Sequence, residues 1–137
     1  MKRLFLSMLV ALMALASWAV NNDQYTIIVS LDGFRWDYCE AYNTPFLNSM
    51  AEKGVKAVMS PSFPSKTFPN HYTLATGLVP DHHGIIANSF RIRATGKKYS
   101  WGNAETRSDI RNYGGDPIWL TAKRQGMTTA TVYWVGS

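Results

Sequence analysis

Three short runs of the chain are apolar and rich in β-branched residues, and helical patterns separate them. Tyr25–Leu31, Val55–Met59 and Met127–Trp134 read as buried strands. Between the first two, Thr44 stands as N-cap, Pro45 at the first helical position and Gly54 as C-cap, which predicts a helix over Pro45–Lys53. A second helix is predicted from Asn70 as N-cap through Thr76, closed by Gly77. A third opens at Asp116-Pro117 and runs to Gln125, closed by Gly126. Phe90–Arg111 is polar with interspersed aromatics and reads as an irregular or hairpin insertion, in which Arg91-Ile92-Arg93 alternates as a strand edge does. Strands alternating with helices predict an α/β fold, a mainly parallel sheet flanked by helices. With about three core strands such a sheet is small and leaves an edge exposed.

The N-terminus follows a different pattern. Lys2-Arg3 precede an apolar run from Leu4 to Ala16, and Ser17-Trp18-Ala19 supplies small residues at a cleavage position, with Ala14-Leu15-Ala16 as a second option. This is the layout of a secretory signal peptide over residues 1–19, leaving 20–137 as the exported part, periplasmic or extracellular. An uncleaved anchor is the alternative, although the apolar run falls short of the roughly 20 residues of a comfortable span. No Cys lies near the cleavage position, so a lipid-anchored protein is not supported. Loss of Lys2 and Arg3 lowers the formal net charge from +5 to +3. A modest positive charge suits an anionic substrate, and the scattered basic residues give no evident nucleic-acid surface. The single cysteine, Cys39, has no internal disulfide partner. The exported part is the size of one small domain and holds no repeat.

The chemistry gathers around Thr67. Phe63-Pro64 and Phe68-Pro69 predict extended backbone before each proline, with the chain then turning into a helix. A hydroxyl near a helix N-terminus stands where backbone N–H groups and the helix dipole favour an anion, a reasonable place for a nucleophile that attacks phosphorus. A free threonine hydroxyl is a poor nucleophile and needs an activator. Asp32 ends the first predicted strand, where ligands bind in open α/β sheets. A divalent cation held there would lower the hydroxyl pKa and neutralise phosphate charge. Taken alone, Asp32-Gly33 more often marks a turn after a strand.

The joint pattern is more specific than any one of these motifs. Ser30 to Tyr38 (SLDGFRWDY), Thr44 to Leu47 (TPFL), Lys66 to Tyr72 (KTFPNHY), Thr76 to Leu78 (TGL), His83 to Asn88 (HGIIAN), Gly114 to Trp119 (GGDPIW) and Trp134 to Ser137 (WVGS) follow one another along the chain. In this order they resemble the start of the nucleotide pyrophosphatase/phosphodiesterase family of the alkaline phosphatase superfamily, from about Tyr25 to the last residue. The resemblance implies an alkaline-phosphatase-like fold, incomplete at its C-terminus. It implies a metal-dependent hydrolase that cleaves phosphodiester or pyrophosphate bonds of nucleotides, or of other phosphodiester small molecules, through a covalent threonine intermediate.

In that family Asp32 would bind one of two Zn2+ ions, and Thr67 would be the nucleophile with its oxygen on metal. Asn88, together with the backbone N–H at Thr67, would hold a non-bridging phosphoryl oxygen; a fixed amide donor stabilises charge as it builds there. Phe68 would form one side of a base-stacking slot, and equally reads as packing of the loop. Lys66 reads as a solvated surface lysine, and Asp37 as a local partner of Arg35. His71, His82 and His83 match none of the family's zinc histidines and are assigned capping, packing or supporting roles. The family's remaining Asp and His ligands match no position of this chain. Asp32 and Thr67 alone fall short of the four ligands of a zinc site, so the fragment itself is expected to be inactive. Two alternatives stay open: a threonine-nucleophile phosphate monoesterase of the same superfamily, and a non-catalytic secreted fragment.

Overall fold

The computed structural model describes residues 25–137, so the expected signal peptide lies outside the described residues. In chain order the elements are helices α1 (Tyr38–Ala41), α2 (Pro45–Lys53), α3 (Thr67–Thr76) and α4 (Pro80–His83), strands β1 (Ser89–Arg91) and β2 (Lys98–Ser100), helix α5 (Ala104–Arg107), a 3-10 turn at Ile110–Asn112 and helix α6 (Ile118–Arg124). Helix α2 spans the predicted residues between Thr44 and Gly54. The insertion after Asn88 is a hairpin, pairing Ser89 with Ser100, Phe90 with Tyr99 and Arg91 with Lys98 in antiparallel register. Alternation sends Phe90 and Tyr99 to one face, where their rings stack at 4.8 Å. Arg35 and Asp37 form the expected local pair at 2.5 Å.

The predicted parallel sheet is not seen among the described residues. Among the described residues the only ladder is the antiparallel β1–β2 pair. Residues 25–31, 55–59 and 127–134 run without strand pairing. Their apolar side chains stand largely in solvent, Ile27 at 84%, Val55 at 94% and Val132 at 75% of full exposure. The reason is physical. A strand satisfies its N–H and C=O groups only through neighbouring strands, and parallel neighbours are far apart in sequence. A β-branched run therefore specifies a suitable face without supplying its partner.

Two helix starts also move. Asn70 is not the N-cap of α3. The helix opens at Thr67 after an extended Lys66, three residues earlier. The first four N–H groups of a helix have no intrahelical acceptor, so Pro69 costs no hydrogen bond inside the first turn. The Asn70 side chain instead turns back onto the preceding loop. Its Oδ1 accepts the Ser62 N–H at 2.8 Å, and its Nδ2 donates to the carbonyls of Pro64 and Lys66, both at 3.0 Å. This is the local backbone bonding for which Asn is suited. Helix α6 begins at Ile118 with Pro117 as N-cap, and Arg124 reaches back from its last turn to pair with Asp116.

The core is small and centred on α3. Tyr72, Ile85 and Tyr99 are buried, with Phe68, Phe90, Ile92, Tyr113 and Val135 packed around them. Burying one such side chain stabilises the fold by about 1.5–3 kcal/mol. Gly77 ends α3 in the left-handed conformation, φ 70°, and its N–H closes on the Thr73 carbonyl. That reversal sends Leu78 and α4 back alongside α3. Gly136 permits another close approach: a Cβ there would meet Tyr72 Cε2 at 2.7 Å.

Candidate active site

Thr67 is the first residue of α3, and the loop before it is held by Asn70. Its hydroxyl donates to Asp32 Oδ2 at 3.2 Å. Asp32 lies in a turn with Gly33, which has φ 66°. The turn reading of this dipeptide is therefore what the backbone shows, and it is also what brings the carboxylate to the helix start. Asn88 arrives from the base of the hairpin, where its carbonyl accepts the Trp101 N–H at 3.0 Å. Its side-chain Oδ1 accepts the Phe68 N–H at 3.1 Å, which aligns the Asn88 amide against the first turn of α3. Thr67, Asp32 and Asn88 thus meet at one helix N-terminus. Phe68 is half-buried against the core cluster, as its packing reading requires. Lys66 is exposed.

The histidines divide sharply. His82 is exposed on α4. His83 is fully buried. Its Nδ1 accepts the Ile85 N–H at 3.1 Å, so in the neutral ring Nε2 carries the proton and donates to Thr73 Oγ1 at 3.0 Å. Burial holds its pKa below the ordinary imidazole value. Burial likewise raises Tyr99, whose hydroxyl lies 2.9 Å from that of Tyr113, and Tyr113 in turn donates to the Arg107 carbonyl at 2.8 Å. His71 lies in the site itself, with Nε2 3.7 Å from Asp32 Oδ1. Its supporting role has a sequence signal: it follows Thr67 by four positions, one turn along the same helix face. Ser30 and Trp134, which hold His71, carried no such signal.

The donor set can be tested against a metal. Asp32 supplies a carboxylate and Thr67 a hydroxyl on a shared side, both suitable oxygen donors. Among the described residues no group of three or more His, Cys, Asp or Glu side chains gathers to complete a site. Two oxygen donors fall short of the four ligands of a closed zinc centre.

A family model described as type I phosphodiesterase / nucleotide pyrophosphatase matches residues 26–137. The chain belongs to this family. It is 45% identical over 113 residues to an uncharacterized pyrophosphatase/phosphodiesterase of Schizosaccharomyces pombe, covering 81% of this chain and 23% of that protein. It is 42% identical over 114 residues to ectonucleotide pyrophosphatase/phosphodiesterase family member 3 of Mus musculus, covering 81% of this chain and 13% of the relative. Among solved structures, murine ectonucleotide pyrophosphatase/phosphodiesterase 5 superposes with a TM-score of 0.74 at 37% identity, over 82% of this chain and 31% of that one. An inactive threonine-to-alanine form of the same murine enzyme, in complex with AMP, superposes with a TM-score of 0.68 over 76% of this chain and 28% of that one. The chain therefore spans less than a third of the relatives and structures it matches. Family membership brings phosphodiester or pyrophosphate hydrolysis as the reaction class of its relatives.

Proposed function

We propose that residues 20–137 form the first part of the catalytic domain of an exported nucleotide pyrophosphatase/phosphodiesterase, delivered by the signal peptide over residues 1–19. In the longer protein the segments 25–31, 55–59 and 127–134 become strands of a mainly parallel, alkaline-phosphatase-like sheet. Their β-branched, solvent-exposed faces support this reading. The substrate is a nucleotide or another small phosphodiester. The AMP complex of the murine neighbour supports the nucleotide, and its inactivity without a threonine supports a threonine nucleophile. Among the described residues no helix is long and apolar enough to cross a membrane.

The observation that carries the proposal is the Thr67 hydroxyl donating to Asp32 at the first turn of α3, 3.2 Å away, with Asn88 on the adjacent N–H. In the reaction the Thr67 Oγ forms a bond to phosphorus, the bond from phosphorus to the leaving group breaks, and water later releases the nucleotide from threonine. The hydroxyl proton points toward Asp32 and is released to solvent as the bond to phosphorus forms. The leaving group departs as an anion, and the water that later breaks the threonine–phosphorus bond returns a proton to Thr67 Oγ. The helix N-terminus and the Asn88 amide face the oxygens on which charge accumulates. Phe68, beside the nucleophile, would form one side of a base-stacking slot. Two Zn2+ ions, when bound, would lower the hydroxyl pKa and neutralise phosphate charge, with Asp32 and Thr67 among their ligands and the rest from outside residues 25–137. Residues 25–137 alone are accordingly not expected to turn over.

The test uses the protein extended to the length of its relatives. Thr67→Ala should abolish hydrolysis of a nitrophenyl nucleotide diester while metal content is retained. Activity above a few per cent of the parent would remove Thr67 as nucleophile. A higher kcat/KM for nitrophenyl phosphate than for the diester would replace the diesterase reading with a monoesterase.

A further inference from the structure

Side chains from three separate stretches converge behind the Asp32 carboxylate. His71 stands on α3 one turn after Thr67, so the two share a helix face. Thr67 Oγ1 addresses Asp32 Oδ2 at 3.2 Å, while His71 Nε2 lies 3.7 Å from Oδ1. The two carboxylate oxygens are divided between two consecutive turns of one helix. The other edge of the imidazole is also held, with Nδ1 2.9 Å from Ser30 Oγ. Trp134 completes the arrangement. Its ring meets the imidazole edge-to-face at 6.0 Å, and its indole N–H donates to the His71 carbonyl at 2.9 Å.

These contacts have a direction. A carboxylate only accepts, and Nε2 is the ring nitrogen near it, at 3.7 Å, which favours the proton on Nε2. The Ser30 hydroxyl, able to donate or accept, donates to Nδ1 in that tautomer. The need for such support is visible in the exposures. The Asp32 side chain is 63% exposed on a turn, whereas that of His71 is only 16% exposed. A carboxylate so open to water has several rotamers available, and an N–H held on a rigid helix favours the one that meets Thr67. At 3.7 Å Nε2 lies beyond hydrogen-bond range of Oδ1, which leaves that oxygen able to take a further partner.

We propose that His71 is a positioning residue, an Nε2–H tautomer with the Ser30 hydroxyl on Nδ1 and Trp134 packed against its ring, that presents the Asp32 carboxylate to Thr67. The role rests on the reading of Asp32 and Thr67 as a working pair. Its test reads geometry in the 137-residue chain and not turnover, so it can fail while the nucleophile assignment survives, and the reverse. With 15N-labelled histidine, long-range proton–nitrogen correlation of the neutral ring should show His71 as the Nε2–H tautomer alone. Ser30→Ala should let the Nδ1–H form appear. His71→Gln places its amide nitrogen near the Nε2 position, and His71→Asn reaches only the Nδ1 position. The Gln variant should therefore keep the Thr67 amide and methyl resonances of the parent, while the Asn variant displaces them as far as His71→Ala does. An Nδ1–H tautomer in the parent chain would overturn the proposal without any variant having to fold. So would equal displacement of the Thr67 resonances in the Gln and Asn variants.

Discussion

The region from Thr67 to Tyr113 and the three extended segments differ in how their apolar side chains are used. Around α3, Tyr72, His83, Ile85 and Tyr99 are buried, and the side-chain polar atoms of His83 and Tyr99 find partners no more than 14 residues away along the chain. In the segments 25–31, 55–59 and 127–134, residues of equal or greater hydrophobicity such as Ile27, Val58 and Val132 stand in solvent. Composition does not separate the two regions. The sequence distance of the partners does. A helix, a left-handed glycine cap and a short hairpin close on themselves, whereas a parallel strand waits for another strand. The candidate active site lies on the seam, because Thr67 and Asn88 belong to the first region and Asp32 ends one of the extended segments.

Large-to-small substitution gives the widest contrast. Ile85→Ala should destabilise the chain by about 2–5 kcal/mol, as for a fully buried aliphatic side chain, whereas Val58→Ala, at an exposed position, should stay within about 0.5 kcal/mol. Urea unfolding of both variants checks this, and equal losses would dissolve the distinction. Next in size is Gly77→Ala. No atom lies within 4 Å of the new Cβ, so its cost of about 1–2 kcal/mol comes only from the left-handed backbone at φ 70°. The same measurement reads it, and a neutral result would mean that the reversal after α3 relaxes.

The smallest expected effect is a pH dependence confined to the buried region. His83 has a folded-state pKa below its unfolded value because burial disfavours the charged ring. The unfolded chain therefore binds more protons between the two values, and stability rises with pH there. Its contribution is fully present above the unfolded pKa of about 6.5 and declines as pH falls toward the folded value. His83→Gln should flatten that part of the stability–pH curve. An unchanged slope would assign it to another group.

Much of the site was legible in the residue order. Thr67, Asp32 and Asn88 stand out because each has a chemical type suited to phosphoryl transfer, Phe68 because it is an aromatic beside Thr67, and all four because of their place in an ordered set of motifs. Asn70 was legible only as a polar residue near a helix start. Whether it caps the helix or clasps the preceding loop depends on where Ser62, Pro64 and Lys66 lie, and their backbone atoms claim its side chain. Ser30 and Trp134 were invisible as site residues because each acts through contact with His71 across a long stretch of chain.

The sequence by itself determined the family, the short-range elements and the chemical candidates. The Thr44 and Gly54 bounds of α2 and the Gly77 stop of α3 act within a few residues and keep their meaning without coordinates, whereas the cap reading of Asn70 did not. Tertiary structure alone decided that Asp32 meets Thr67, that Asn88 braces the Phe68 N–H, and that His71 is held between Ser30 and Trp134. It also decided that the β-branched runs stay unpaired among the described residues. Each of these depends on which distant backbone lies within about 3–4 Å, the range over which hydrogen bonds and packing act and which local pattern does not encode.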